Sequence, residues 1–274
     1  MKITDYQKVQ TLGSNDIFLL DGDNGTKTIL ASDTLFAILD AFAPVEMRRN
    51  VFRGKNLGSV VTAEQKTNIQ NGTFKGFFLG DYWTIGGHKW RIVDFNYWMN
   101  CGDTNFTTPH LVIMPDSVLY SHVMNETNIT TGGYVGSLMY TSGLNQAKTL
   151  VASVFGDMVL THREYLVNAV TNGKPSAGAW FDSSVELPNE IMMYGSYVFT
   201  PAADGQFITN RYTIGNSQLA LMQQVPRFIK TRQTYWLRDV VSAALFALVN
   251  YNGGLAAYRY ASASLGVRPV FPIG

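Results

Sequence analysis

Cysteine is nearly absent. Cys101 is the chain's one thiol, so no disulfide framework can form within it, and folding in a reducing compartment is expected. Charge is scarce too, at 15% of 274 residues against the usual quarter, and the net charge is +1 with no basic run. An electrostatic footprint for nucleic acid is therefore missing. The longest apolar stretches, such as 240–249, are interrupted by small or polar residues and fall short of a bilayer span, so no membrane insertion is expected. Met1 leads into Lys2, Thr4, Asp5, Gln7 and Lys8, which does not read as a secretory signal.

Motifs for chemistry are equally thin. His88, His110, His122 and His162 show neither His-x-His nor His-x-x-x-His spacing, so no metal or cofactor is expected, and they read as core or surface histidines. There is no Gly-x-Ser-x-Gly elbow and no phosphate-cradling glycine loop. Asp182, Glu186 and Glu190 lie near Trp180 and Phe181, but Pro188 breaks any helix that could align Glu186 with Glu190, so no glycosidase pair is legible. Cys101 reads as a small buried side chain, not as a nucleophile. Asn71, Asn105, Asn125 and Asn128 head formal glycosylation sequons, read as chance products of a surface rich in Asn and Thr. The expectation is a protein that is not an enzyme.

What the chain has is apolar and aromatic mass: 46% hydrophobic and 13% aromatic residues. With so few charges, Tyr, Asn, Thr, Ser and Gly must build the surface, a composition suited to adhesive contact. Residues 16–21 and 26–30 read as two strands around a turn at 22–25, followed by a helix over 34–42 that Ser32 or Asp33 would cap and Pro44 would stop. A basic connector with Arg48, Arg49, Arg53 and Lys55 comes next. Thr62-Ala-Glu-Gln65 predicts a capped helix to about Gln70. Strands are expected at 77–79, 82–85, 89–95 and 111–114, helices at 142–155 and 163–169, and late strands at 191–199, 235–237, 246–249 and 267–271. Short strands with few helices and no βαβ alternation predict an α+β fold. The expected domains are an N-terminal docking unit at 1–50 and a main domain at 51–274.

The C-terminal segment interleaves two kinds of residue. Trp236, Phe246, Val249, Val267 and Phe271 read as core, and Arg238 and Arg268 as holders of carboxylates or carbonyls. Between them stand positions of unrelated chemistry: Leu245, Leu248, Tyr251, Leu255, Ala257, Tyr258, Arg259, Tyr260, Ala263 and Leu265.

With Gly80-Asp-Tyr-Trp-Thr-Ile, Trp90-Arg-Ile, Pro109-His-Leu-Val-Ile-Met-Pro-Asp, Gly132-Gly-Tyr-Val-Gly-Ser and the closing Trp236-Leu-Arg and Gly266-Val-Arg-Pro, the chain resembles the variable proteins of diversity-generating retroelements, in the type found in phage and prophage tail regions. The resemblance runs from about Arg53 to Gly274, and Asn15-Asp-Ile-Phe-Leu-Leu-Asp-Gly also looks like the start of tail-associated proteins. It implies a C-type-lectin-like fold. It also implies a variable region at about 237–274, in which an error-prone reverse transcriptase rewrites adenines of AAY codons at the ten interleaved positions to change a host-surface target. Such codons cannot become Lys, Glu, Gln, Met or Trp. The chain holds 41 of these, and composition alone places about five or six in 237–274, yet none is there.

The function so implied is receptor binding at a phage tail, on a virion assembled in a bacterial or archaeal host cytoplasm. Expected partners are a host cell-surface protein or glycan and, through the N-terminal unit, other tail proteins, with homo-oligomerisation left open. Alternatives are a purely structural tail component and, third, a carbohydrate-active enzyme. No Glu-Pro-Asn, Gln-Pro-Asp or Trp-Asn-Asp run supplies a calcium-sugar loop. The cysteine pair of formylglycine-generating enzymes, which share that general fold, is absent.

Overall fold

The computed structural model describes residues 17–20, 27–200 and 217–274, with side chains from Thr34 onward. The chain divides into two units, Met1–Pro44 and Val45–Gly274.

In the first unit, β1 (Ile17–Leu20) pairs antiparallel with β2 (Lys27–Leu30), and α1 (Ala31–Phe42) follows directly. The helix begins at Ala31, so Ser32 and Asp33 lie within it and not at an N-cap. The predicted turn at 22–25 and the Asn15 and Asp16 positions lie outside the described residues.

The second unit is α+β, mostly sheet. α2 (Val45–Asn50) belongs to it, six residues before the boundary expected at 50/51. The reason is charge pairing. Arg49 grips Asp94 (Nε to Oδ1 2.6 Å), and Arg53 grips Asp81 (Nε to Oδ1 3.0 Å), with both carboxylates fully buried. The basic connector is thus a structural seam. α3 (Ala63–Gln70) starts at the predicted capping box: Thr62 Oγ1 accepts from the Gln65 N–H, and the Gln65 side chain accepts from the Thr62 N–H.

One sheet of four strands has the order β13-β5-β4-β3, formed by β3 (Tyr82–Ile85), β4 (His88–Phe95), β5 (Leu111–Pro115) and β13 (Phe271–Ile273). Against it packs α4 (Asn145–Phe155), which buries Ala147, Val151 and Phe155 at every fourth residue. Phe155 meets Trp90 edge-on (centroids 5.8 Å, 86°) and Trp83 likewise (6.2 Å, 81°), so these three rings form one aromatic cluster in this core. α4 starts three residues after the expected Ser142, because Met139–Gly143 forms a wider π-type turn before it.

The second sheet has five strands in the order β11-β10-β9-β12-β6: β6 (Tyr120–His122), β9 (Tyr235–Val240), β10 (Leu245–Val249), β11 (Ala256–Tyr260) and β12 (Leu265–Val267). All its pairs are antiparallel except β9 with β12. The strand expected at 267–271 is therefore two, β12 and β13, in different sheets, with Arg268-Pro269 between them.

Two expectations are overturned. Residues 163–169 are not a helix but the centre of β7 (His162–Thr171), paired with β8 (Lys174–Ser183). Asn172-Gly173, both at positive φ (52° and 76°), forms the two-residue turn that closes this hairpin. Residues 191–199 are not a strand: Asn189 caps α5 (Glu190–Tyr194), accepting from the Met192 N–H at 2.7 Å, and Gly195 ends it at φ 80°. The strand expected at 77–79 is reduced to one bridge between Leu79 and Phe52.

Candidate functional site

The C-terminal framework is bolted to the rest of the second unit by buried polar contacts. Trp236 Nε1 donates to the His122 carbonyl (2.9 Å), and Tyr235 Oη donates to the Ile229 carbonyl (2.6 Å). Arg268, fully buried, donates to the Pro115 carbonyl (2.8 Å) and to Tyr235 Oη (3.0 Å). Arg238 pairs with buried Glu164. Both arginines thus do what their sequence context predicts, and Trp236, Phe246, Val249, Val267 and Phe271 are all core.

On this frame β11 is one of the two edge strands of its sheet, and its register with β10 decides which side chains can vary. Leu245, Ala247 and Val249 lie across from Tyr260, Tyr258 and Ala256, while Phe246 and Leu248 lie across from Arg259 and Ala257. Tyr258 and Tyr260 therefore share one face, and Arg259 takes the other. Tyr251 is 57% exposed, Leu255 67%, Tyr258 48% and Tyr260 57%, and Arg259 is also exposed. Leu245, Ala257, Ala263 and Leu265 are half-buried. Leu248 does not belong with them. It is buried in the core opposite Trp236, because β10 is covered on both faces, with Phe246 to Val249 all buried. A freely exchanged side chain there would open a cavity or clash.

The loop after β6 pins the far end of β11. The N–H groups of Met124 and Asn125 both donate to the Ala261 carbonyl (2.9 and 3.0 Å), and Asn128 Oδ1 accepts from the Ser262 N–H (3.2 Å) and hydroxyl (2.7 Å). Asn125 and Asn128, read from sequence only as sequon residues, are loop-holding side chains here.

No family model, curated protein or solved structure matches this chain.

Of the remaining polar candidates, Glu186, Glu190, His110 and His162 are buried in the interior. Among the described residues no group of three or more His, Cys, Asp or Glu could hold a metal ion, and no helix is long and apolar enough to cross a membrane. Asp182 is exposed and paired with Arg163 (2.9 Å), which also holds Asp103 (2.8 Å). Glu186 is buried and accepts from the Tyr134 hydroxyl (2.7 Å). Burial, then the charge of Glu164, pushes its carboxyl up to about 7. Burial acts in the same direction on Glu164, but Arg238 and His162 outweigh it and hold its carboxyl at about 2. Asp239, also buried, is pushed up to about 7 by burial and by Glu190.

His110 Nε2 accepts from the Trp98 N–H (3.1 Å) and Nδ1 faces the Thr108 carbonyl (2.8 Å), an arrangement that suits the neutral ring, and burial lowers its pKa to about 4. His162 lies against Trp98 (centroids 4.2 Å), with Nε2 3.5 Å from Glu164 Oε1. Cys101 is half-buried beside the Met99 carbonyl, and burial raises its thiol pKa.

Sequence reasoning missed Phe199. It lies outside the C-terminal segment but sits edge-on to Tyr258, with centroids 5.0 Å apart at 77°. Its place beside the face follows from α5, which the sequence reading took for a strand.

Proposed function

We propose that this protein binds a ligand through β11 and the turn before it, as a receptor-binding protein of a phage tail with a C-type-lectin-like fold. In this reading its exposed C-terminal positions are diversified by a retroelement. The observation that carries the reading is the split within the C-terminal segment. Tyr251, Leu255, Tyr258, Arg259 and Tyr260 are exposed, while the framework residues interleaved with them are almost completely buried. Exposed positions can change chemistry at a cost of about half a kcal/mol or less, whereas core changes cost several times more. Tyr and Arg are also the side chains that dominate binding energy at interfaces. Display in many copies on a tail would let modest affinity per copy suffice.

In this reading the protein is not an enzyme; Glu186 and Glu190 are buried and accept internal hydrogen bonds. The test is binding of the purified, labelled protein to a panel of candidate bacterial cells. A structural tail component labels none. A near-identical copy of the 237–274 coding segment with AAY codons, beside a reverse-transcriptase gene, would separate a diversified binder from a fixed one.

A further inference from the structure

Val198 and Phe199 are apolar yet 47% and 38% exposed, in a segment without regular secondary structure. One carboxylate holds that segment. Glu190, fully buried in the first turn of α5, accepts the Phe199 N–H at Oε1 (3.0 Å) and the Val198 and Thr200 N–H groups at Oε2 (3.1 Å each). Its own N–H donates to Asp239 Oδ2 on β9 (2.7 Å), so the segment is tied to the sheet that carries β11. Phe199 then braces Tyr258 edge-on. Within 217–274 the exposed charges are all cationic. From Ser217 to Gly274 the only acid is Asp239, which is buried, whereas Lys230 and Arg232 are exposed, as is Arg259 on the other side of β11 from Tyr258; Glu126, in the loop that pins the far end of β11, is the exposed acid nearest in the fold to that strand's end. Arg232 lines a shallow pocket of about 290 Å³ with Tyr251 and Leu265, and Lys230 lies beside Gly254, next to Leu255.

We infer that the display face extends beyond the C-terminal segment to Val198 and Phe199, and that it fits a partner protein whose surface carries acidic groups around an apolar centre. This rests on the display reading above. Phe199 is the fixed anchor of the face and Glu190 its positioning residue, so β11 can change while the anchor stays. Val198 and Phe199 supply an apolar centre beside Tyr258, and protein interfaces bury such groups at their centre and ring them with polar and charged side chains. The exposed cations favour an acidic partner.

The test uses the full chain and intact cells of each strain it labels, untreated, protease-shaved or periodate-oxidised. Phe199→Ala is expected to keep the melting temperature within about 2 °C and to weaken labelling about tenfold, with Phe199→Trp restoring most of it. Labelling should vanish on protease-treated cells, survive periodate and weaken at high salt. Glu190→Gln leaves one acceptor oxygen for three N–H groups, so amide exchange at Val198, Phe199 and Thr200 should rise about tenfold or more. Unchanged labelling by Phe199→Ala overturns the anchor, and loss with periodate but not protease overturns the protein partner. Unchanged exchange in Glu190→Gln overturns its positioning role. If the joint variant Tyr258→Ala, Arg259→Ala, Tyr260→Ala labels like the parent while Phe199→Ala fails, the display reading of β11 is what falls. Labelling of no strain overturns both.

Discussion

The Tyr134 hydroxyl donates a 2.7 Å hydrogen bond to Glu186 Oε2, and both side chains are sealed in the core. Glu186 also feels Glu164 on β7, Arg238 on β9 and Lys148 on α4. Its carboxyl is pushed up to about 7 from 4.5, so the folded state binds a proton that the unfolded chain releases near 4.5. The associated stability is fully present below pH 4.5 and is lost as pH rises toward 7, on the order of 3 kcal/mol for a shift of that size.

Asp239, raised from 3.8 to about 7, acts in the same direction. Glu164 acts in the opposite one: its folded pKa of about 2 gives stability present above 4.5 and lost as pH falls toward 2. Thermal unfolding between pH 2 and 8 should therefore show a maximum near pH 4 to 5. Glu186→Gln should flatten the decline between pH 4.5 and 7. A melting temperature that climbs steadily to pH 7.5 contradicts the assignment.

Leu248 and Leu255 look alike in sequence, and their environments predict opposite outcomes. Leu248→Ala removes a core side chain and should cost about 2–5 kcal/mol in urea unfolding. Leu255→Ala, at a site 67% exposed, should stay within about 0.5 kcal/mol. Equal costs would mean that Leu248 is not held in the core while Leu255 stands exposed, as described.

Arg238 and Glu164 are buried together, so breaking the pair from one side leaves an uncompensated charge. Arg238→Ala should cost about 3–5 kcal/mol, and Arg238→Met combined with Glu164→Gln markedly less than the two single changes added. Additivity in a double-mutant cycle would show that the pair is not coupled.

Local signals with a single physical meaning were legible from sequence. Thr62 and Gln65 formed the expected capping box, and the Trp-Leu-Arg and Gly-Val-Arg-Pro blocks turned inward as expected. The misread elements had equally local signals that went unused: Asn172-Gly173 for the β7–β8 hairpin, and Asn189 with Gly195 as the two ends of α5. Leu248 was a different kind of miss. Alternation along a strand predicts exposure only where one face meets water, and β10 is buried on both faces, from Phe246 to Val249. Phe199 could not be found by inspecting the C-terminal segment, because it reaches Tyr258 across 59 residues of chain through the carboxylate of Glu190.

The central claim is that a ligand-contacting face stands on a frame that does not depend on it. The most direct test compares the parent with the joint variant Tyr258→Ala, Arg259→Ala, Tyr260→Ala, measuring melting temperature and labelling of the same bacterial cells. An unchanged melting temperature with labelling reduced at least about tenfold is the predicted result. Unfolding of the variant, or a folded variant that labels cells as well as the parent, contradicts it.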